Sequence, residues 1–203
     1  MNMDREFYIF RHGETDWNKQ KRCQGHTDID LNQTGLNQAK ELGKKLLNIE
    51  LEIIYSSDLK RAKATGSVVA EMKQIPITFD SRLREMSYGR AEGMLFQSAI
   101  EHFGEELWQG LQSFKKENDH IGFPEGESRK VARERFLRVL DEIIENTNYT
   151  KIGISTHGGS LRNVLHSFLP EEISMIPIPN CVVYRLIYKA NQKQFIAEDS
   201  PFL

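Results

Sequence analysis

The chain has 203 residues, a length that favours one domain, residues 1–203, with room for one elaborated loop. Its 39% hydrophobic content excludes disorder as the main state, and the net charge of −2 favours neither nucleic acid nor a membrane surface as the main partner. Neither a signal-peptide core nor an apolar run approaching the ~20 residues of a membrane span is visible, so we expect a cytoplasmic protein.

The sequence shows no metal-binding pattern. Cys23 and Cys181 lie far apart and form no CxxC pair, so we expect both to be free thiols. The histidines outside the motifs described below also lack ligand spacing, and exposed or core roles are expected for them: His26, His102, His120 and His166.

Three short apolar runs predict strands that end in polar clusters. Residues 7–10 precede Arg-His-Gly, residues 53–55 precede Ser-Ser-Asp, and residues 152–154 precede Ser-Thr-His-Gly-Gly. Two more strands are predicted at 181–188 and 194–197, near a sheet edge.

Apolar residues at helical spacing predict three helices between these strands. We expect Thr34 to cap the first, Ser57 or Asp58 to cap the second, and the third to run from about 127 to 146. The predicted inward positions are, helix by helix, Leu36, Ala39, Leu42 and Leu46; Leu59, Ala62, Val69 and Met72; and Val131, Ala132, Phe136, Val139, Leu140, Ile143 and Ile144. The alternation of strands and helices indicates a mostly parallel sheet covered on both faces, with ligands at the carboxyl ends of its strands.

Residues from about 92 to 126 do not fit this alternation. We interpret them as a helical lid inserted over the active end of the sheet. Their aromatic residues are interpreted mainly as packing for the lid, with the alternative that one or two line the mouth of the site: Phe96, Phe103, Trp108, Phe114 and Phe123.

Two of the polar clusters contain residues suited to binding an oxyanion. Arg11 offers a bidentate fork beside His12, although an Arg-His pair alone also fits an ordinary strand-to-loop junction. Gly158 and Gly159 follow His157 and open a further helix, whose free N–H groups favour an anion. Arg61 falls in the first turn of the second helix at the same edge; taken alone, it is more often a solvated surface residue.

Taken together, these motifs resemble the histidine phosphatase superfamily, the phosphoglycerate mutase-like proteins. The ordered matches are Arg11-His12-Gly13-Glu14-Thr15, Ser57-x-Leu59-x-Arg61-Ala62-x-x-Thr65, Leu83-x-Glu85 and His157-Gly158-Gly159. Further matches are Asn18, Gly25, Asp28, Leu31, Thr34-Gly35 and Gly126-Glu127-Ser128. The resemblance implies a three-layer α/β/α sandwich and a covalent phosphohistidine mechanism without metal.

The resemblance assigns His12 as the nucleophile and Glu85 as the general acid and then base. A neutral imidazole is an available nucleophile near pH 7, and a departing alkoxide needs a proton. Without the family context, Glu85 would be interpreted as a salt-bridge partner of Arg82 or Arg84. Ala91 stands where the family often has Trp, which puts one aromatic wall of the pocket in doubt.

The phosphoryl oxygens need positive and neutral hydrogen-bond donors. Arg11, Arg61 and His157 are expected to neutralise them, because preorganised charge is usually the largest catalytic contribution. The remaining residues predicted to bind phosphate are Asn18, Gln24, Gly25 and Gly158.

The leading prediction is a phosphomonoester phosphatase that acts on a small phosphorylated metabolite and needs no cofactor. A phosphoglycerate mutase, which would need a bisphosphoglycerate primer, is the alternative, and a non-catalytic phosphate-binding module is a third. Gln24 stands where mutases resembling this chain carry Ser or Thr, and Arg22 is predicted to be the one cation that could serve a mutase. Monomer and homodimer both remain open.

Overall fold

The computed structural model describes residues 3–170, 172–173, 175–198 and 201–203, and these ranges contain a six-stranded sheet. The strands are β1 (Arg5–Arg11), β2 (Ile53–Ser56), β3 (Ile77–Phe79), β4 (Lys151–Thr156), β5 (Val183–Lys189) and β6 (Gln194–Ala197). Their order across the sheet is β3-β2-β4-β1-β5-β6. The first four in that order are parallel, whereas β5 and β6 each run antiparallel to the preceding strand.

Seven α-helices lie within the same described ranges. They are α1 (Asp16–Lys19), α2 (Gln33–Lys45), α3 (Lys60–Lys73), α4 (Phe96–Phe103), α5 (Glu105–Gln112), α6 (Arg129–Asn146) and α7 (Gly158–Leu165). Short 3₁₀ turns occupy Leu46–Asn48, Ser81–Leu83, Gly89–Ala91 and Lys116–Asn118. Nowhere in these ranges is a helix both long enough and apolar enough to cross a membrane.

Alternate residues of β1 separate the two faces of the sheet. Phe7 and Ile9 pack in the core that α6 and α7 cover, whereas Tyr8 and Phe10 pack in the core that α2 and α3 cover. Helices therefore lie on both faces of the sheet. This arrangement confirms the predicted three-layer α/β/α sandwich with a mostly parallel sheet.

Three predicted helices are present, but they begin at residues other than those expected. Asn32 caps α2 in place of Thr34, because the Asn32 side chain accepts the N–H of Gly35. Helix α3 has Leu59 at its N-cap position and no side-chain cap. Ser128 precedes α6, which starts at Arg129.

Other predictions fail where local geometry overrides the apolar pattern. Leu36 and Val131 were expected to point inward, but they are 37% and 51% exposed. The fifth strand begins at Val183, since Cys181 adopts a left-handed φ of 57° that interrupts an extended chain. The short edge strand β3 is not predicted by the sequence pattern.

The segment from 92 to 126 carries α4 and α5 and packs in a small third core together with Cys23, Tyr88 and Ala91. Phe123 lies at the centre of this core, where its ring is 5.3 Å from that of Phe103 and 6.4 Å from that of Trp108. Its side chains form one wall of the cavity described next.

Candidate active site

A cavity of about 620 Å³ lies at the carboxyl ends of β1 and β4, within the size range of small-molecule sites. Seven of the nine predicted site residues line it: Arg11, His12, Asn18, Gln24, Arg61, Glu85 and Gly158. His157 and Gly25 lie behind this wall and contact Arg61 instead.

His12 directs one ring nitrogen to the backbone. Its Nδ1 lies 2.6 Å from the carbonyl oxygen of Gly13, which can only accept, so Nδ1 carries the proton and Nε2 keeps its lone pair. Burial, reinforced by the charges of Arg61 and Arg11, lowers the pKa of His12 well below its ordinary value. The imidazole is therefore neutral near pH 7.

His157 is fully buried, and both of its nitrogens are already bonded. Nδ1 accepts the Nε–H of Arg61 at 3.2 Å, so in the neutral ring Nε2 donates to Ser57 Oγ at 2.9 Å. Burial, followed by the charge of Arg61, lowers the pKa of His157 well below its ordinary value. The ring centroid lies 5.2 Å from that of His12. In this arrangement His157 orients Arg61.

Arg61 is fully buried and held by backbone carbonyls. Its two Nη groups donate to the carbonyl oxygens of Gly25 and Thr27, each at 2.8 Å. Gly25 has a φ of +52°, and a Cβ there would come within 2.1 Å of a Glu92 oxygen, so glycine is required. Burial lowers the pKa of Arg61 to about 10, and the guanidinium is still charged at neutral pH.

Asn18 and Gln24 both line the cavity, and Thr15 contacts the side-chain amides of both. Asn18 Oδ1 accepts the N–H of Thr15 at 3.1 Å, which leaves the Asn18 NH₂ group to donate into the cavity. The Thr15 hydroxyl lies 3.1 Å from Gln24 Oε1. Asn180, which sequence reasoning missed, donates to the carbonyl oxygen of His12 at 2.9 Å. Asn180 belongs to none of the motifs, because it lies in a segment far from β1 in the sequence.

Glu85 binds at the N-terminus of α7, where the sequence pattern predicts that a ligand anion binds. Its carboxylate accepts the N–H groups of Gly159 at 2.8 Å and Ser160 at 2.7 Å, at the N-terminus of α7. Met86 N–H and the Ser160 hydroxyl also donate to it. A Cβ on Gly159 would lie 2.7 Å from Glu85 Oε1, so the close approach of the carboxylate requires glycine there.

The salt-bridge interpretation of Glu85 is wrong. Arg82 pairs with Asp80 and Glu142, and Arg84 pairs with Asp58. Glu85 is only 7% exposed, lines the cavity and is held by α7 rather than by either arginine.

Aromatic side chains also line the cavity. Ala91 is buried in the small core of the lid segment, and Tyr88 lines the cavity three residues earlier. Burial raises the pKa of Tyr88 well above its ordinary value, so its hydroxyl keeps its proton. The other aromatic residues that line the cavity are Phe96, Trp108, Phe114 and Phe123. Four of the five aromatic residues predicted for this segment therefore line the cavity, more than the one or two of the alternative interpretation, and Phe123 also packs the small core.

Two further arginines that sequence reasoning missed also line the cavity. They are Arg129, at the start of α6, and Arg162, on α7. The prediction that Arg22 is the one additional cation is therefore wrong. Arg22 lines the cavity too, but it donates to Gln20 and to the carbonyl oxygen of Gly93.

Known proteins are similar to this chain along most of its length. The family described as histidine phosphatase superfamily (branch 1) matches residues 7–198. "Uncharacterized phosphatase PhoE" of Bacillus subtilis (strain 168) is 38% identical over 113 residues, which cover 56% of this chain and 58% of that protein. "Probable phosphoglycerate mutase GpmB" of Salmonella arizonae is 32% identical over 190 residues, which cover 92% and 86%.

The fold is also similar to a solved structure. The structure of mycobacterial glucosyl-3-phosphoglycerate phosphatase in complex with VO₃ aligns over 98% of each chain, with a TM-score of 0.84 and 21% sequence identity. At that identity the similarity concerns the fold alone.

Proposed function

The chain belongs to the histidine phosphatase superfamily (branch 1), and on that premise we propose that it is a phosphomonoester phosphatase acting through a covalent phosphohistidine. The observation that carries the proposal is the neutral imidazole of His12 in the cavity wall, with Arg11 and Arg61 beside it. The substrate class is small phosphorylated metabolites. Similarity to a bacterial protein named as a phosphatase supports the same reaction.

The first step forms a bond between His12 Nε2 and phosphorus as the ester P–O bond breaks. Glu85, in its protonated form, gives its proton to the departing oxygen. In the second step Glu85 takes a proton from water, the water oxygen attacks phosphorus, and the P–N bond breaks. Inorganic phosphate leaves, and both side chains return to their starting states.

Arg11 and Arg61 stabilise the charge that spreads over the transferring phosphoryl oxygens. Arg11 is held by the carbonyl oxygen of Ile178, and Arg61 by two carbonyls and His157. Asn18 adds a neutral donor. For His157 to hydrogen-bond the phosphoryl group directly, its Nε2–H has to leave the hydroxyl of Ser57 and donate to a phosphoryl oxygen instead.

A phosphoglycerate mutase is the second candidate. The observation that favours it is the presence of Arg129 and Arg162 in the cavity, because a mutase needs cations for the carboxylate of its substrate. The relative named as a mutase is similar over 92% of this chain. The two functions differ in whether water or a second hydroxyl takes the phosphoryl group from His12.

The fate of 3-phosphoglycerate separates these functions. We expect release of inorganic phosphate that does not depend on a bisphosphoglycerate primer and is unchanged by EDTA. Conversion to the 2-isomer faster than phosphate release, with stimulation by the primer, would replace the phosphatase proposal with the mutase. Loss of turnover in EDTA would contradict the metal-free mechanism.

A further inference from the structure

Arg129 is a buried cation without a matching anion. It is 3% exposed, and its Nε and Nη1 atoms are buried with no hydrogen-bond partner among the described residues. Within the same residues, no carboxylate lies within 4 Å of its nitrogens. Asp119 is the nearby acid, but it is paired through both carboxylate oxygens with Arg133.

This placement is unfavourable for folding. A buried guanidinium loses its hydrogen bonds to water, and N–H groups without a protein acceptor do not replace them. Arg129 is also the first residue of α6, where the helix dipole disfavours positive charge. The Phe114 ring, 4.2 Å from the guanidinium carbon, stabilises only one face of it. Burial lowers the pKa of Arg129 to about 10, so it keeps its charge at neutral pH.

Arg162 brings a second positive charge to the same cavity. Its Nε donates to the carbonyl oxygen of Ile176 at 3.1 Å, and it forms no salt bridge with a described residue. The neighbouring Asn163 links α7 to α6 by donating to the carbonyl oxygen of Arg129 at 2.7 Å. Arg129 on α6 and Arg162 on α7 therefore line the same cavity, and this hydrogen bond joins their two helices.

An aromatic stack lies against this pair. The Phe114 ring stacks on His166 with centroids 4.1 Å apart and planes 12° apart. Burial, followed by the charges of Arg162 and Arg129, lowers the pKa of His166 to about 4. His166 is therefore neutral and adds no charge, so the two arginines carry the positive charge there.

We propose that Arg129 and Arg162 form a second anion subsite, which binds a carboxylate or a second phosphate on the part of the substrate that leaves. The reacting phosphoryl group lies at Arg11, His12 and Arg61, and that half of the assignment rests on the proposed function. The substrate is a phosphomonoester with an anionic group at its other end. Apolar residues of the same wall, Leu111 and Phe114, suit a partly apolar connection between the two anions.

The test compares three aryl phosphates that differ at the para position: phenyl phosphate, 4-carboxyphenyl phosphate and 4-(phosphonomethyl)phenyl phosphate. For each para-anionic substrate the readout is its kcat/KM divided by that of phenyl phosphate. Wild type prefers the para-anionic substrate with the larger ratio. We expect Arg129→Met and Arg162→Met to lower the ratio for that substrate by about 10- to 100-fold, the range for losing charge-assisted hydrogen bonds. The larger wild-type ratio identifies a carboxylate or a phosphate as the second anion.

Two variants control for charge and for position. Arg162→Lys keeps the charge and should retain part of the preference. Arg138→Met removes an exposed arginine from the same α6 and should leave the ratio at the wild-type value. A ratio unchanged in both methionine variants would overturn the subsite. If Arg129→Met does not fold, Arg162→Met decides the question alone.

A binding arm separates failure of the subsite from failure of the proposed function. Benzylphosphonate and its 4-carboxy and 4-phosphonomethyl derivatives carry CH₂ in place of the ester oxygen, and titration calorimetry measures their affinity without turnover. Tighter binding of a para-anionic derivative by wild type, lost in Arg162→Met, supports the subsite even if no phosphate ester is hydrolysed. Equal affinity for all three compounds would overturn it, whatever the enzyme hydrolyses.

Discussion

Replacing Glu85 with Gln tests whether this carboxylate transfers protons or only holds α7. Oε1 accepts three donors, from Met86 and from the backbone and hydroxyl of Ser160, whereas Oε2 accepts, among the residues that the structure describes, only the N–H of Gly159. The side-chain oxygen of a glutamine can take the place of Oε1, but its NH₂ group then takes the place of Oε2 and faces the N–H of Gly159. The substitution therefore leaves the partly buried N–H of Gly159 without its acceptor and removes the charge of the ionised carboxylate from a helix N-terminus.

The stability cost follows from these two losses. An unsatisfied buried donor costs about 1–3 kcal/mol, and the lost charge at the helix end costs ~0.3–1 kcal/mol, rising to ~2 where partly buried. We expect Glu85→Gln to lower the free energy of unfolding by about 2–4 kcal/mol, measured by urea denaturation at constant pH.

The rate effect separates proton transfer from structure. Glu85→Gln should slow hydrolysis of an alkyl phosphate by ~10²–10⁴, the range for a positioned acid or base. An activated aryl phosphate should lose far less, because its leaving group departs without a proton. The assay is steady-state kcat/KM on both substrates with the folded fraction known.

Glu92→Gln is the matched control. Glu92 also accepts several donors, the N–H groups of His26, Thr27 and Tyr88 among them, but it does not line the cavity. Its substitution should destabilise the fold while changing the alkyl and aryl rates by the same factor. If Glu85→Gln gives that same uniform loss, the assignment of Glu85 as acid and base is refuted.

Two more predictions concern His12. His12→Ala should lose at least 95% of turnover, and rapid-quench labelling of wild type should place acid-labile phosphate on His12; label elsewhere would identify another nucleophile. Because burial and neighbouring arginines lower the pKa values of His12 and His157, both rings should stay neutral between pH 8 and 6.5, where an ordinary imidazole becomes half-protonated. Long-range ¹H–¹⁵N spectra, assigned with His12→Ala, should show the Nδ1–H form of His12 and the Nε2–H form of His157 throughout, and half-protonation near pH 6.5 would contradict the structure.

The strands and layers could be predicted because burial leaves a direct mark on the sequence. The run from Phe7 to Phe10 is apolar on both faces, as a central parallel strand must be when helices cover both sides. Helix starts were harder, since several residues can cap. Asn32 replaces Thr34 at the start of α2 because its amide is also held by Glu14, a contact that no local pattern shows.

The residues of the candidate site also include some that the sequence predicts and some that only the structure shows. Arg11 ends β1 and His12 directly follows it, so the sequence alone indicates where they lie. Arg129 carries no such signal, because an arginine at a helix start is ordinarily exposed. Only the packing of α6 on α7 turns it into a buried residue of the cavity that Arg162 also lines.

The first turn of α7 links the acid to the second anion subsite. Gly159 N–H holds the carboxylate of Glu85, and Arg162, three residues later on the same helix face, lines the cavity. On the proposed function, both groups act on the leaving half of the substrate. An alcohol that keeps an anion on Arg129 and Arg162 would then leave slowly and compete with water for the phosphoryl group on His12. On this proposal, the relative rates of alcohol release and water entry would decide between phosphatase and mutase chemistry, and Arg129 and Arg162 would control the first of these rates.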